Sequence, residues 1–192
     1  GTSTDLSTVV PSFTSIVNNP QFEFRLATKD PNGNCTNGIT RNWSGLTYDA
    51  DDYSKVVCWL RNKYYNIWVV FNIYSDTPGA VTAGYSYFPS GFTDPLVDGT
   101  IIGYQYFGES GSNFAKRVLS HETGHWFNLA HTFGNVNVDQ GDCSGTDNVS
   151  DTPKTPGNFS TCPLTRAACG PLENVQNIMD YSACTNMFTT GQ

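Results

Sequence analysis

The stretch HETGHWFNLAH, residues 121–131, contains every histidine of the chain. His121 and His125 stand four positions apart, and on an α-helix that spacing projects both imidazoles from one face, near enough to hold one metal ion. Glu122 lies one step round the same helix. Its carboxylate therefore falls beside the open position of the metal rather than on it, where it can take a proton from a water. Zinc needs a third protein ligand, and a residue ten positions along a continuous helix would be too far up the axis. The helix must end before His131, and Asn128, a residue type that tolerates left-handed backbone, is where the chain can turn back.

Chance explains this pattern poorly. Shuffling the composition gives an HExxH match about once in a thousand trials, and the third histidine lowers that to about one in 10⁵. Three ordinary histidines on an amphipathic helix are a weak rival for the same reason. A structural zinc site is a nearer rival, but such sites use four protein ligands. Here three imidazoles accompany a carboxylate of the general-base type, and an open fourth position implies a water and hydrolysis.

Working outward, Ser112 or Asn113 can cap the helix that carries the motif, and Phe114, Val118 and Leu119 lie on one of its faces in a pattern reaching Phe127. Upstream, QFEFRLAT at 21–28 alternates Phe22, Phe24 and Leu26 with charged residues and predicts a half-buried strand. Residues 48–63 place Tyr53, Val56, Val57 and Leu60 at helical spacing after an Asp-rich start, which predicts a first helix. IWVVFNIY at 67–74 is β-branched and aromatic, closed by Asp76, Pro78 and Gly79, and predicts a central strand. Further strands are expected at 81–88 and 100–107, linked through Pro89, Gly91 and Pro95. From Gly134 to Gly170 periodicity is lost. A loop that long is unusual unless it is functional or cross-linked, so the expectation is a sheet-and-helix lobe before about residue 131 and a stapled lobe after it.

The chain has 192 residues, enough for one domain of ordinary size. Its formal net charge is −7, with no block of Lys and Arg, which argues against nucleic acid and against an anionic membrane surface. No apolar run approaches the ~20 residues that span a bilayer. Six cysteines, Cys35, Cys58, Cys143, Cys162, Cys169 and Cys184, form an even set without a CxxC pair, so disulfides and an oxidising, extracellular setting are expected. The polar stretch at residues 1–7 lacks the basic and apolar regions of a leader, which suggests a processed form.

Three segments carry a family resemblance: HETGHWFNLAHTF at 121–133, CSGTDNVSDTP at 143–153, and NIMDYSAC followed by MFTTGQ within 177–192. Together they resemble the metzincin zinc endopeptidases, specifically their pappalysin branch in its secreted bacterial-type form, over about residues 84–192. The resemblance implies an α+β catalytic domain spanning 1–192. Its N-terminal subdomain, 1–131, would hold a twisted mixed sheet, two main helices and the zinc-binding motif, and its C-terminal subdomain, 132–192, would be loop-rich and disulfide-stapled. By the same resemblance His121, His125 and His131 are zinc ligands, Glu122 is the general base and acid, Met179 forms the Met-turn beneath the metal, and Tyr181 stabilises the tetrahedral intermediate. It also implies pairs Cys143 with Cys169 and Cys162 with Cys184, leaving Cys35 with Cys58 by elimination.

Asp139, Asp142, Asp147 and Asp151 offer hard oxygen donors of the kind Ca²⁺ prefers. The resemblance narrows a calcium site to Asp147, Thr152 and a carbonyl near Ser150. It further implies protein or peptide substrates, a monomer, and an inhibitory pro-segment before maturation. Two departures stand out. Asn128 replaces the glycine of many metzincins. Ala183 precedes Cys184 where relatives that cleave beside Arg or Lys carry an acid, which weakens any expectation of a basic preference. The family continues into a further helix, so a chain shortened after Gln192 is expected. The alternative to an active endopeptidase is a latent or inactive secreted zinc-binding module.

Overall fold

The computed structural model describes residues 5–89, 94–108 and 112–192; Gly91 of the expected link lies outside them. Among the described residues the regular elements are β1 (Val17–Asn18), β2 (Ile67–Val70), β3 (Gly84–Ser86), β4 (Thr100–Gly103), α1 (Asn113–Trp126) and β5 (Phe188–Thr189), with five short 3-10 turns. The strands make a mixed sheet of order β2-β4-β3, with β2 parallel and β3 antiparallel to β4, and a separate β1-β5 pair. The α+β class is as expected.

The centre of the three-stranded sheet is β4 rather than the 67–74 run. All four β4 residues are buried, whereas β2 alternates, with Trp68 and Val70 inward and Ile67 and Val69 toward solvent. An apolar run is compatible with either position, and only pairing decides which strand is covered on both sides. Beyond β2 the run continues through Ile73, which bridges both Ala50 and Thr82. Ala50, Trp68, Val70, Ile73 and Ile101 form the core beneath this sheet.

The helix expected at 48–63 does not form, and α1 is the one α-helix among the described residues. Asp51 instead closes a single 3-10 turn, Asp52–Ser54: its side chain accepts from the Tyr53 amide at 2.9 Å while Ser54 Oγ accepts from the Asp51 amide at 3.1 Å. Val57 then takes φ +58°, outside helical space. The competing force is tertiary. Lys55 is drawn inward, its Nζ donating to Val97 O at 2.9 Å and pairing with Asp52 at 2.9 Å, over the rings of Tyr85 and Tyr87. Burial lowers the Lys55 pKa, with Asp52 opposing the shift.

The 21–28 strand is also absent. Among the described residues no strand pairs with it, and Phe22, Phe24 and Leu26 stay more than half exposed. Phe22 stacks on Phe127 at 4.3 Å instead. Both disulfides implied for the C-terminal half are present, Cys143–Cys169 and Cys162–Cys184. Cys35 and Cys58, however, are free thiols. Cys35 sits in an exposed turn bridged to Lys29, while Cys58 packs on the Trp68 cluster with its thiol toward Trp59 O, so elimination paired residues that the fold keeps in different surroundings.

The C-terminal half is held by buried polar contacts more than by apolar area. Gln176 accepts from the Val10 amide at 2.8 Å and donates to Thr8 O at 3.0 Å, which docks the N-terminal segment onto it. Val9, Phe13 and Met187 form a small apolar cluster at that junction. No helix among the described residues is long and apolar enough to cross a membrane.

Candidate active site

Helix α1 starts where its cap is: Ser112 Oγ accepts from the Ala115 amide at 3.2 Å. It ends at Trp126, and Asn128 takes φ +76°, the left-handed turn expected there. The reversal brings His131 back over the helix. Nε2 of His125 lies 3.1 Å from Nε2 of His121 and 3.0 Å from Nε2 of His131, and the third side of the triangle is 3.2 Å. The two helical histidines are oriented by carbonyls that can only accept: His121 Nδ1 meets Ile178 O and His125 Nδ1 meets Leu129 O, each at 2.7 Å. Each Nδ1 therefore carries the proton, and each Nε2 lone pair points into the cluster.

Burial first, and then neighbouring histidines, lower the His121 pKa to about 3 and that of His131 to about 2; burial likewise lowers His125. Three neutral nitrogen donors facing one point is a set that fits a borderline cation such as Zn²⁺. Glu122 is buried beside them, and burial raises its pKa to about 8, opposed by the Ser86 amide. The edge strand β3 approaches closely here: a Cβ on Gly84 would lie 3.1 Å from Glu122 Cγ and 3.1 Å from Ile101 O.

The floor of the cluster is the 177–181 turn. Met179 is fully buried, and its carbonyl accepts from the Thr132 amide at 3.2 Å, which ties the floor to the residue after His131. Gly124, between the two helical histidines, is the contact point: any Cβ there would overlap Met179 Sδ and lie 3.2 Å from Cε. The sequence reading passed over Gly124. Its signal was a glycine inside a helical motif, which costs about 1 kcal/mol against alanine and so calls for a packing reason.

The Tyr181 ring stands 4.8 Å from that of His131 and 5.4 Å from that of His121, and Phe133 stacks on His131 at 4.7 Å. Burial, then the charge of Glu122, pushes the Tyr181 pKa up to about 12, so its hydroxyl keeps its proton. Asp180, which sequence reading also passed over, is buried beneath and bonded to Thr132 Oγ1 at 3.1 Å.

The acidic loop is divided by the fold. Asp139 pairs with Arg166 at 2.7 Å and accepts from the Phe159 amide at 2.9 Å, and Asp142 accepts from the Ser144 amide at 2.8 Å. Asp151 holds Thr189 Oγ1 and the Gly191 amide at 2.6 and 2.8 Å. Asp147 Oδ2 and Thr152 Oγ1 are different: both are buried and neither has a hydrogen-bond partner. Burial raises the Asp147 pKa. Ser150 is exposed at the turn between them.

The chain is similar to known proteins both in sequence and in shape. The chain is 39% identical over 138 residues to extracellular metalloprotease 1 of Coccidioides posadasii, a match covering 65% of this chain and 47% of that protein. It thus spans about half the length of such curated relatives. Mature mirolysin of Tannerella forsythia, solved in complex with a cleaved peptide, superposes with a TM-score of 0.79 at 35% identity, covering 98% of this chain and 74% of that one. A promirolysin mutant from the same organism superposes with a TM-score of 0.83 at 34% identity, covering 97% and 64%. The model of the peptidase M43 family, described as pregnancy-associated plasma protein-A, matches residues 48–192. That span includes His121, His125, His131, Met179 and both disulfides, and this chain belongs to the M43 family of metallopeptidases, as the motif resemblance implied.

Proposed function

We propose that this chain is the catalytic part of a secreted zinc endopeptidase that cuts peptide bonds within proteins. The observation that carries this reading is the convergence of three neutral imidazole Nε2 atoms to within 3.2 Å of one another, next to a buried carboxylate. His121, His125 and His131 would hold the Zn²⁺, and Met179 would be the packed floor beneath it. When bound there, zinc supplies Lewis-acid polarisation of the scissile carbonyl and a water of lowered pKa.

The chain's own groups do the rest. An extended substrate pairs with the edge of β3, which among the described residues has only β4 beside it in the sheet. Glu122 takes a proton from the attacking water and returns one to the leaving amine nitrogen. Tyr181 keeps its hydroxyl proton and donates a hydrogen bond to the developing oxyanion. Residues 1–192 act as one catalytic domain, with 1–131 supplying sheet and zinc helix and 132–192 the stapled wall. Asp147 Oδ2, Thr152 Oγ1 and a carbonyl near Ser150 form a structural Ca²⁺ site, a reading supported by the two orphaned oxygens. Secretion and control by a pro-segment draw support from relatives named extracellular metalloprotease and promirolysin, and the chain acts as a monomer.

The test is Glu122→Ala in zinc-loaded protein, assayed on an unfolded protein substrate. The variant is expected to keep its zinc and lose turnover by at least 10³-fold. Retained proteolysis would remove Glu122 from its role, and a zinc-loaded wild type that cuts nothing would favour the latent zinc-binding module.

A further inference from the structure

Four hydroxyl groups run in one line from the edge strand to the zinc-motif helix, and the proteolytic steps above employ none of them. Thr123 Oγ1 donates to Leu119 O at 2.7 Å, a carbonyl that can only accept, so its one proton is spent there. Tyr65 Oη lies 3.0 Å from Thr123 Oγ1 and must therefore be the donor. With its own proton spent, Tyr65 accepts from Thr100 Oγ1, and Thr100 accepts in turn from Ser86 Oγ. The line joins α1, β4 and β3 through a single phenol, and Thr100 within it is fully buried. Both ends meet Glu122. Thr123 is its neighbour on the helix, and the Ser86 amide reaches its carboxylate. Glu122 also lines a cavity of about 220 Å³ together with Arg117 and Asp180, so the carboxylate has open space on that flank and is steadied from the sheet side. The carbonyls that orient His121 and His125, by contrast, are those of Ile178 and Leu129, outside the line.

We propose that Tyr65 is a positioning residue for Glu122: its hydroxyl locks the helix to the sheet, so that the carboxylate stays against Ser86 instead of turning into the cavity. The proposal rests on the proteolytic reading above. A partly buried line in which every hydroxyl donates once has one arrangement. Removing its middle group leaves the Thr100 proton without an acceptor and Thr123 Oγ1 without a donor, and helix and sheet then lose their common register at Glu122. A misplacement of about 1 Å at a proton-transferring group costs on the order of 10²-fold in rate. The ring of Tyr65 is held separately, with its centroid 4.5 Å from that of Trp126 and 5.7 Å from that of Phe24. Tyr65→Phe therefore keeps the packing and deletes only the link.

The experiment has two readouts. On a quenched-fluorescent peptide that wild type cuts, zinc-loaded Tyr65→Phe is expected to show kcat lowered by about 10-fold or more, with KM and zinc affinity within about 2-fold of wild type. A merely structural role would weaken zinc in step with kcat. Thr100→Val should reproduce the loss and Thr100→Ser, which keeps a hydroxyl, should recover most of it; this pair carries the comparison if Tyr65→Phe does not fold. Tyr65→Phe and Thr100→Val combined should cost no more than either alone, because they break one line. The second readout needs no turnover. In metal-free protein, Glu122→Gln should move the Ser86 amide proton resonance in NMR spectra, and that movement should vanish when Tyr65→Phe is already present. An unchanged kcat in Tyr65→Phe, a zinc affinity that falls with kcat, or a Ser86 response that persists without the phenol would overturn the proposal while leaving proteolysis intact. A Ser86 response that needs Tyr65, in a zinc-loaded wild type that cuts nothing, would instead sustain the positioning and refute the enzyme.

Discussion

Replacing Gly124 with Ala tests the packing at the centre of the site. In an exposed helix this change should stabilise by about 1 kcal/mol, because Ala is the better helix former. Here the new Cβ would overlap Met179 Sδ and lie 3.2 Å from Cε, inside the 3.5–4.0 Å at which carbon atoms pack comfortably. Met179 is fully buried and has nowhere to retreat. Overpacking of this kind costs about 1–3 kcal/mol, so the net effect is a loss of up to about 2 kcal/mol, at most about 4–8 °C in Tm for a chain of this size. The catalytic loss should be larger than that stability figure implies. Met179 O holds the Thr132 amide, and the adjacent Ile178 O orients His121, so pushing the floor away misaligns His121 and His131 together. A displacement of about 1 Å costs on the order of 10²-fold in rate. The assays are thermal unfolding of metal-free protein, zinc affinity by competition, and turnover. Met179→Ala should partly rescue the stability of Gly124→Ala in a double-mutant cycle. A Gly124→Ala protein that is more stable, with zinc affinity and turnover unchanged, would refute the reasoning.

Two other predictions concern buried acids. Burial raises Asp180 to about 7 in spite of its hydrogen bonds. Because the folded state holds the proton more tightly than the unfolded one, the stability linked to this group is fully present below about pH 4 and is lost as pH rises through about 7. Relative to Asp180→Asn, metal-free wild type should therefore lose stability between about pH 4 and 7, by at most about 1.4 kcal/mol per pH unit. Denaturant titrations across that window give the comparison, and a difference that stays constant would discard the assignment. For Asp147, Ca²⁺ at 100 times its Kd should stabilise the protein by about 2.7 kcal/mol, roughly 5–10 °C in Tm. Asp147→Asn should abolish most of that shift in differential scanning calorimetry, and an undiminished shift would place the ion elsewhere.

The site was more legible in the sequence than the framework that carries it. Every element of the histidine cluster is local: a cap at Ser112, helical spacing of four, and a residue at 128 able to take positive φ. Such features depend on backbone chemistry within a few residues, so they survive reading one residue at a time. The periodic signals at 21–28 and 48–63 were equally local but misled. The first has no strand beside it to complete its hydrogen bonds, and the second loses to Lys55, which reaches Val97 across the fold and pulls the chain out of helical geometry. The cysteines divide in the same way, since the two pairs implied by family likeness formed and the pair left by elimination did not.

By itself, then, the sequence determined the metal-binding motif, the capped helix that carries it, the asparagine that ends it, and the family. Only the tertiary structure decided which strand is central, that Gly124 lies against Met179, that Arg117 and Asp180 border one cavity, and that Cys35 and Cys58 are unpaired. The physical reason is range: spacing along the chain fixes what one helix can present, whereas the contents of a pocket depend on which distant segments desolvate each other.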